Sequence, residues 1–486
     1  MLHDARSLPA ATELEAQICV IGAGAAGISL ARALSGQGFR VLLLESGGLE
    51  ADPASQDLYR GRVYGRNYFQ LDVCRTRRFG GSTHCWHGLC RPLDAIDFEA
   101  RDWVPHSGWP FGLDALLPYY ERAQEVLRLE PFDYEATSWA REALPLLPLA
   151  SDEIRSGVFQ VAASRFGELY REEIEQAPNV DSFLFANVVG FDIDERGDER
   201  GIARARVACL DGNAFTVKAR TFVLATGGIE NARLLLASGL GNQHDLVGRY
   251  FMDHPHVVAG AFLPSQAELS LRFYRAHPEG RIELAGYLTT TDAARRSEQL
   301  LGWCAFLAQE APLPELEQRL ASVLREMDHP GAQPAGRAVF FTNELEQAPN
   351  PASRVVLTDL KDALGVPRPQ LEWRLSAVDK RSARRTHEIL GRALGAAGVG
   401  RLQIMFSEDE HGWPPELGGG RHHMGTTRMH SDPKQGVVDP DGRVHGLSNF
   451  YVAGSSVFPT SGAANPTLTI VALALRLADH LREQLR

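Results

Sequence analysis

Apolar residues in this chain fall into short runs punctuated by glycine. "ICVI" (18–21) precedes a glycine-rich turn, "AAGISLARAL" (25–34) repeats apolar positions at helical intervals, and "RVLLLE" (40–45) is a second apolar run closing on an acid. Unbroken apolar runs of this length read as buried parallel strands, and a 3.6-residue period reads as an amphipathic helix. The opening therefore predicts strand, turn, helix and strand, with Gly38 ending the helix. The same order returns in "ARTFVLATGGIENARLLLAS" (219–238), with Glu230 and Asn231 near the helix start. From Arg354, "RVVLTDLKDALGVPRPQLEWRLSAVD" gives two strand-like runs around a Gly/Pro turn. "KRSARRTHEILGRALGAAG" then predicts an amphipathic helix stopped by Gly398. "TLTIVALALRLADHL" near the end predicts another, with Asn465 as its N-cap and Pro466 at its first helical position. There is no internal repeat and no low-complexity tract. The pattern is α/β.

Composition narrows this little. The 486 residues are 44% hydrophobic and 23% charged, with net charge −11 and both signs interspersed. That argues against a nucleic-acid or anionic-membrane partner, which needs clustered Lys and Arg. No apolar run approaches the ~18 residues of a membrane helix. The six cysteines form no CxxC pair and no metal-ligand spacing with histidine, so neither a disulfide framework nor a metal site is expected. The first seventeen residues lack a signal-peptide core. The expectation is a cytoplasmic protein.

The first glycine turn carries candidate chemistry. Gly22, Gly24 and Gly27 stand in GxGxxG spacing between strand and helix, and Glu45 follows 18 residues after Gly27. Gly22 permits the tight turn, Gly24 lets the backbone approach a pyrophosphate, and Gly27 allows helix and strand to pack closely. Ala25 and Ala26 would offer helix-start N–H groups to the phosphates. Glu45, followed by Ser46, would accept from ribose hydroxyls. A lone GxGxxG can be merely a glycine-rich turn; here the flanking strands, helix and acid are all in place. The motif does not separate NAD from FAD.

Three further segments bear on that choice. "RTRRFGGSTHCWHGLCRPLDAIDFEARDW" (75–103) holds Gly80, Gly81, Ser82 and Thr83 in a loop before Trp86 and Gly88. Successive small residues expose backbone N–H groups that can cradle a pyrophosphate or a flavin edge. The others are residues 219–238 and the C-terminal block beginning "HHMGTTRMH" and containing "VAGSSVFPTSGAANPTLT". In this order the segments closely resemble the glucose–methanol–choline (GMC) oxidoreductases, a family of FAD enzymes. The resemblance spans the chain to about residue 110, residues 219–260 and residues 416–486, and looks nearest to short bacterial members acting on sugars, polyols or glycosides.

What the resemblance implies is specific. A Rossmann-like FAD-binding domain would comprise residues 1–250 and 416–486, and an antiparallel-sheet substrate-binding domain residues 251–415. Besides the first glycine turn, the cofactor would be touched by Arg78, Gly80, Gly81, Ser82, His84, Cys85, Trp86 and Gly88. Val188, Val189, Ala225 and Gly227 would follow from the middle of the chain. Gly454, Ser455, Asn465, Pro466 and Thr467 would complete the set. Some relatives tether the flavin through a histidine directly before this Trp. Here Cys85 holds that position and His84 lies one earlier, so the attachment is left open.

Alcohol oxidation needs a base for the hydroxyl proton, a donor to hold the oxygen and an acceptor for the hydride, which FAD supplies at N5. In the family the base is a His in an H-x-x-G-T context, matched by His422; its partner, in a segment like "NPTLT", is matched by Asn465. Neighbouring side chains of an extended segment point to opposite faces, so His423 is expected to serve packing. His254 and His256 in "GRYFMDHPH" read as structural, with the option of bordering the cavity. "SEDEHGW" (407–413) reads as a solvated acidic face or an attraction for an aminosugar.

The reading is FAD-dependent oxidation of an alcohol on a small molecule, with oxygen, a quinone or a carrier as electron acceptor and a homo-oligomer as an option. Two alternatives stand beside it: a non-redox lyase or decarboxylase on the same fold, and the flavoprotein subunit of a larger dehydrogenase.

Overall fold

The computed structural model describes residues 1–149, 151–162, 164–194, 200–266, 269–308, 318, 338–406 and 412–485. Two large sheets dominate it. The first runs in the order Leu2–Asp4, Val180–Leu184, Val41–Leu44, Glu13–Ile21, Ala214–Leu224, Gly201–Ala208, Asn187–Asp194. The pairs Glu13–Ile21 with Val41–Leu44 and with Ala214–Leu224 are parallel. Phe450–Val452 adds in parallel to Phe222–Leu224, so the end of the chain joins a sheet begun at its start. Ile18 to Ile21 and Val41 to Leu44 are all buried. Helices cover both faces of a parallel sheet, which is why these runs do not alternate with polar residues.

Two helices position the cofactor end of this sheet. Ala25–Ala33 follows Gly24, and Thr467–Leu485 packs against it. The first helix stops at Ala33, earlier than the expected end at Gly38. Asn179 holds the exit instead: its Nδ2 donates to Leu34 O (3.0 Å) and Phe39 O (2.8 Å), and its Oδ1 accepts from Gly36 N–H (2.7 Å). That acceptor and donor come from 140 residues away, so local sequence does not announce them.

The second sheet is antiparallel and runs Gly400–Ile404, Pro255–Pro264, Val339–Leu345, Trp303–Ala308, Ile282–Thr290, Ile154–Val161, Leu89–Cys90. Two of its strands, Leu89–Cys90 and Ile154–Val161, lie before residue 250, inside the stretch read from sequence as cofactor domain. A third sheet departs the other way. The hairpin of Arg354–Lys361 and Pro367–Trp373 pairs in parallel with Arg62–Gly65, and it packs against the helix Gly228–Ser238. The chain thus crosses between the layers more often than a division at 250 and 416 describes. The helix Ala377–Ala396 starts at a capping box of Ser376 and Asp379 and covers Gly400–Ile404, with Gly398 at φ +68° just beyond its end.

Candidate active site

A cavity of about 540 Å³ opens where the carboxyl ends of the parallel strands meet the second sheet. Its floor is the first glycine turn. Gly22 has φ +103°, and a Cβ there would lie 2.6 Å from Ala225 O. Gly27 is under the floor: a Cβ would fall 1.8 Å from Gly22 O, so only glycine lets helix meet turn. Nothing lies within 4 Å of the Cβ position of Gly24, which leaves room for a ligand to approach the backbone. The first helical bond runs from Ile28 N–H to Gly24 O. The N–H groups of Ala25 and Ala26, both on the cavity wall, precede it and have no helical acceptor. Glu45 sits at the wall, 5% exposed, accepting from Ala23 N–H (2.9 Å), Gly47 N–H (2.8 Å) and Ser46 Oγ (3.2 Å). A carboxylate has about four acceptor positions, so one remains, on Oε2, for a ribose hydroxyl. These features fit an adenine dinucleotide.

The opposite wall comes from residues 74–89. Gly81 opposes Gly24, where a Cβ would approach the Gly24 Cα to 2.9 Å, and Gly80 N–H donates to Ala23 O (2.8 Å). Ser82, Cys85, Trp86 and Gly88 reach the cavity, as do Val188, Ala225, Gly227, Gly454, Ser455, Pro466 and Thr467. Five residues expected to touch the cofactor are not on the wall. Gly27 and Gly80 are occupied with the packing just described. Val189 is the unpaired residue at a register shift between Val188 and Gly190. Arg78 extends toward the exposed Glu50 (3.6 Å). His84 turns back, with Nε2 on Phe79 O (2.8 Å), whereas the exposed Cys85 thiol is the one that borders the cavity.

Beneath the mouth, Glu230 is 3% exposed between Arg75 (3.3 Å), Arg77 (3.6 Å) and Arg233 (2.7 Å). Burial alone would raise its carboxyl; the three guanidinium groups hold it down at about 2. Asn231, beside it, accepts from Thr226 N–H (2.8 Å) and donates to Ser456 Oγ (2.8 Å), tying the second glycine turn to the C-terminal block.

His422 and Asn465 meet at the far end, with Asn465 Nδ2 3.3 Å from His422 Nε2. Asn465 is not the N-cap of its helix. The first helical bond, Ile470 N–H to Pro466 O (2.8 Å), puts Pro466 at the cap, and Asn465 Oδ1 is buried without a partner. The side chain is therefore free of the helix and offered to His422 and the cavity. His423 packs between the rings of Tyr68 (6.1 Å) and Phe251 (5.8 Å) while still touching the cavity edge, and burial presses its imidazole down to about 3.

Two residues decide the state of His422: His254, read from the sequence as structural or bordering the cavity, and Asp253, which that reading missed. His254 is fully buried; its Nε2 is 3.0 Å from Gly462 O and its Nδ1 is 3.0 Å from His422 Nδ1. Burial lowers its imidazole to about 4, so it is neutral at ordinary pH. A carbonyl only accepts, so His254 carries its proton on Nε2 and its bare Nδ1 accepts from His422 Nδ1–H. His422 Nε2 is then left without a proton, facing Asn465. Burial, then the neighbouring His254 and His256, also keep the His422 imidazole well below its ordinary value. Asp253 anchors the backbone: it accepts from the N–H groups of His254 (2.7 Å), His422 (2.8 Å), Arg421 (3.0 Å) and Gly420 (3.1 Å), and from the Tyr68 hydroxyl. The signal was the alternation in "DHPH": Pro255 begins a strand, which puts His254 and His256 on one face. The "SEDE" run and His411 lie outside the described residues.

A dinucleotide cradle and a neutral imidazole with its Nε2 bare share one cavity, which fits an oxidoreductase, and comparison with known proteins identifies the cofactor class as FAD. Residues 17–247 match the FAD dependent oxidoreductase family, and residues 349–474 match the family described as GMC oxidoreductase. The chain carries a FAD dependent oxidoreductase domain and a GMC oxidoreductase C-terminal domain. It is 29% identical over 290 residues to the fructose dehydrogenase large subunit of Gluconobacter japonicus, a match covering 57% of this chain and 49% of that one. It is 26% identical over 547 residues to 6'''-hydroxyparomomycin C oxidase of Streptomyces lividus, covering 96% of this chain and 91% of the relative. The crystal structure of pyridoxine 4-oxidase from Mesorbium loti shares the fold at TM-score 0.57 and 20% identity, covering 96% of this chain and 98% of that one. Among the described residues no helix is long and apolar enough to cross a membrane.

Proposed function

We propose that this protein oxidises an alcohol group of a sugar, polyol, glycoside or aminosugar to a carbonyl. When bound, FAD supplies the hydride acceptor. His422 Nε2 takes the hydroxyl proton, and Asn465 Nδ2 donates to the same oxygen and holds it against the base. His254 fixes the tautomer that makes this possible, and Asp253 holds the loop in place. The hydrogen-bond series from Gly462 O through His254 to His422 carries the reading, because it leaves one bare nitrogen aimed at the cavity. The relatives acting on fructose and on an aminoglycoside support the carbohydrate class. Six free cysteines support a reducing compartment, the cytoplasm.

The test is anaerobic stopped-flow bleaching of the purified holoenzyme with a panel of sugars, polyols and aminosugars. His422→Ala should keep its flavin and lose bleaching about 10²-fold or more, the scale of general-base catalysis. Consumption of substrate with no bleaching would instead establish the lyase reading. Oxygen uptake against dye reduction then assigns the electron acceptor, and copurification with a haem protein would mark a multi-subunit dehydrogenase.

A further inference from the structure

One buried acid on the cavity wall takes no part in the chemistry above. Glu344 lies on Val339–Leu345, directly across the strand pair from His256 on Pro255–Pro264. Both side chains line the cavity. Glu344 is only 5% exposed, and its Oε2 is buried without a hydrogen-bond partner. Its Oε1 stands 3.4 Å from His256 Nε2, which also lacks a hydrogen bond. Arg91, whose charge acts on Glu344, is committed elsewhere: to Asp94 (3.3 Å), Pro92 O (3.1 Å) and Cys304 Sγ (3.6 Å). A buried carboxylate oxygen left unpaired is costly, and structures keep such groups where a ligand completes them.

We propose that Glu344 and His256 form a second substrate-binding site, which takes a hydrogen-bond donor, hydroxyl or ammonium, on the same molecule whose carbinol reacts at His422. The inference rests on the alcohol-oxidation reading and specifies it: the substrate carries at least two polar groups on one ring. The His256 and His422 rings are 6.4 Å apart, a span that one sugar ring bridges. Burial also lifts the Glu344 carboxyl to about 7, against the pull of Arg91 and His87, so a bound ammonium would complete its ionisation and a hydroxyl would satisfy its free oxygen.

Stopped-flow bleaching of the holoenzyme with D-glucose and with D-glucosamine tests this in wild type and Glu344→Gln. The expected result is a half-saturating concentration raised tenfold or more, with the limiting rate changed less than threefold. A loss confined to D-glucosamine identifies an ammonium, and an equal loss for both identifies a hydroxyl. An unchanged half-saturating concentration, or a fall in limiting rate alone, overturns the proposal. If neither sugar bleaches the wild type, the redox reading fails for this class. Calorimetric titration of both sugars then decides the site alone: binding lost in Glu344→Gln sustains it, and equal or absent binding rejects it. Circular dichroism and flavin content confirm folding. Should Glu344→Gln misfold, His256→Gln, at a part-exposed position, is read by the same criteria.

Discussion

At the scale of single residues, the site is a problem of where protons can sit. His422, the proposed base, has its Nδ1–H committed to His254, which is itself committed to Gly462 O. Its lowered affinity for protons has a sign that can be checked. A depressed imidazole stays neutral below the ordinary value of about 6.5, so the acid limb of the limiting bleaching rate should lie below pH 6.5. The charged and titratable neighbours acting on it are His254, His256, His423 and His87, all of which push the same way. A limb at or above 6.5 would mean that the imidazole is not held as the structure has it. The glycines flanking the pair serve it too: a Cβ at Gly420 would come within 2.7 Å of His256 Nε2 and 2.9 Å of His422 Nδ1. His422 and Asn465 could be picked out from their motifs. His254 could be placed only as structural or bordering the cavity, because its role depends on a carbonyl 208 residues away.

At the scale of elements, Gly27 meets Gly22 only a few residues away, and so the first strand, turn and helix were readable from the letters. Gly27→Ala tests how tightly they are set. The added methyl would meet a backbone oxygen at 1.8 Å, which no side-chain motion relieves. The variant should purify with little flavin, measured as the ratio of flavin to protein absorbance; full flavin content would show that the helix can slide. The helix after Asn465 was read one residue out of phase, since an Asn-Pro pair satisfies the N-cap preference as well as a site role does. Only the bond from Ile470 to Pro466 separates the two.

At the scale of the whole molecule, a buried ion network ties the layers together. Glu346, just past the strand Val339–Leu345, pairs with Arg101, both side chains fully buried, and with Arg295 (3.3 Å), which also binds Asp97 (2.5 Å) and Asp94 (3.4 Å). Asp97 in turn packs under Gly462, whose carbonyl receives His254. Removing one member leaves buried charge uncompensated, which costs about 3–5 kcal/mol. Glu346→Gln should lower stability by that order in denaturant unfolding. A change under about 1 kcal/mol would show that Asp94 and Asp97 suffice to neutralise both arginines.

Short-range contacts and backbone conformation made the α/β class, the glycine cradle and the helix faces legible in the letters, and the motifs resembling the GMC family picked out the residues proposed as base and amide partner. The tertiary structure decided what depends on distant partners. It chose the sheet that Ile154–Val161 joins, the tautomer of His422, and the placing of Glu344 opposite His256. The physical reason is common to all three: a hydrogen bond or strand pairing between residues far apart in the chain leaves no local pattern, because either partner alone is compatible with many neighbours.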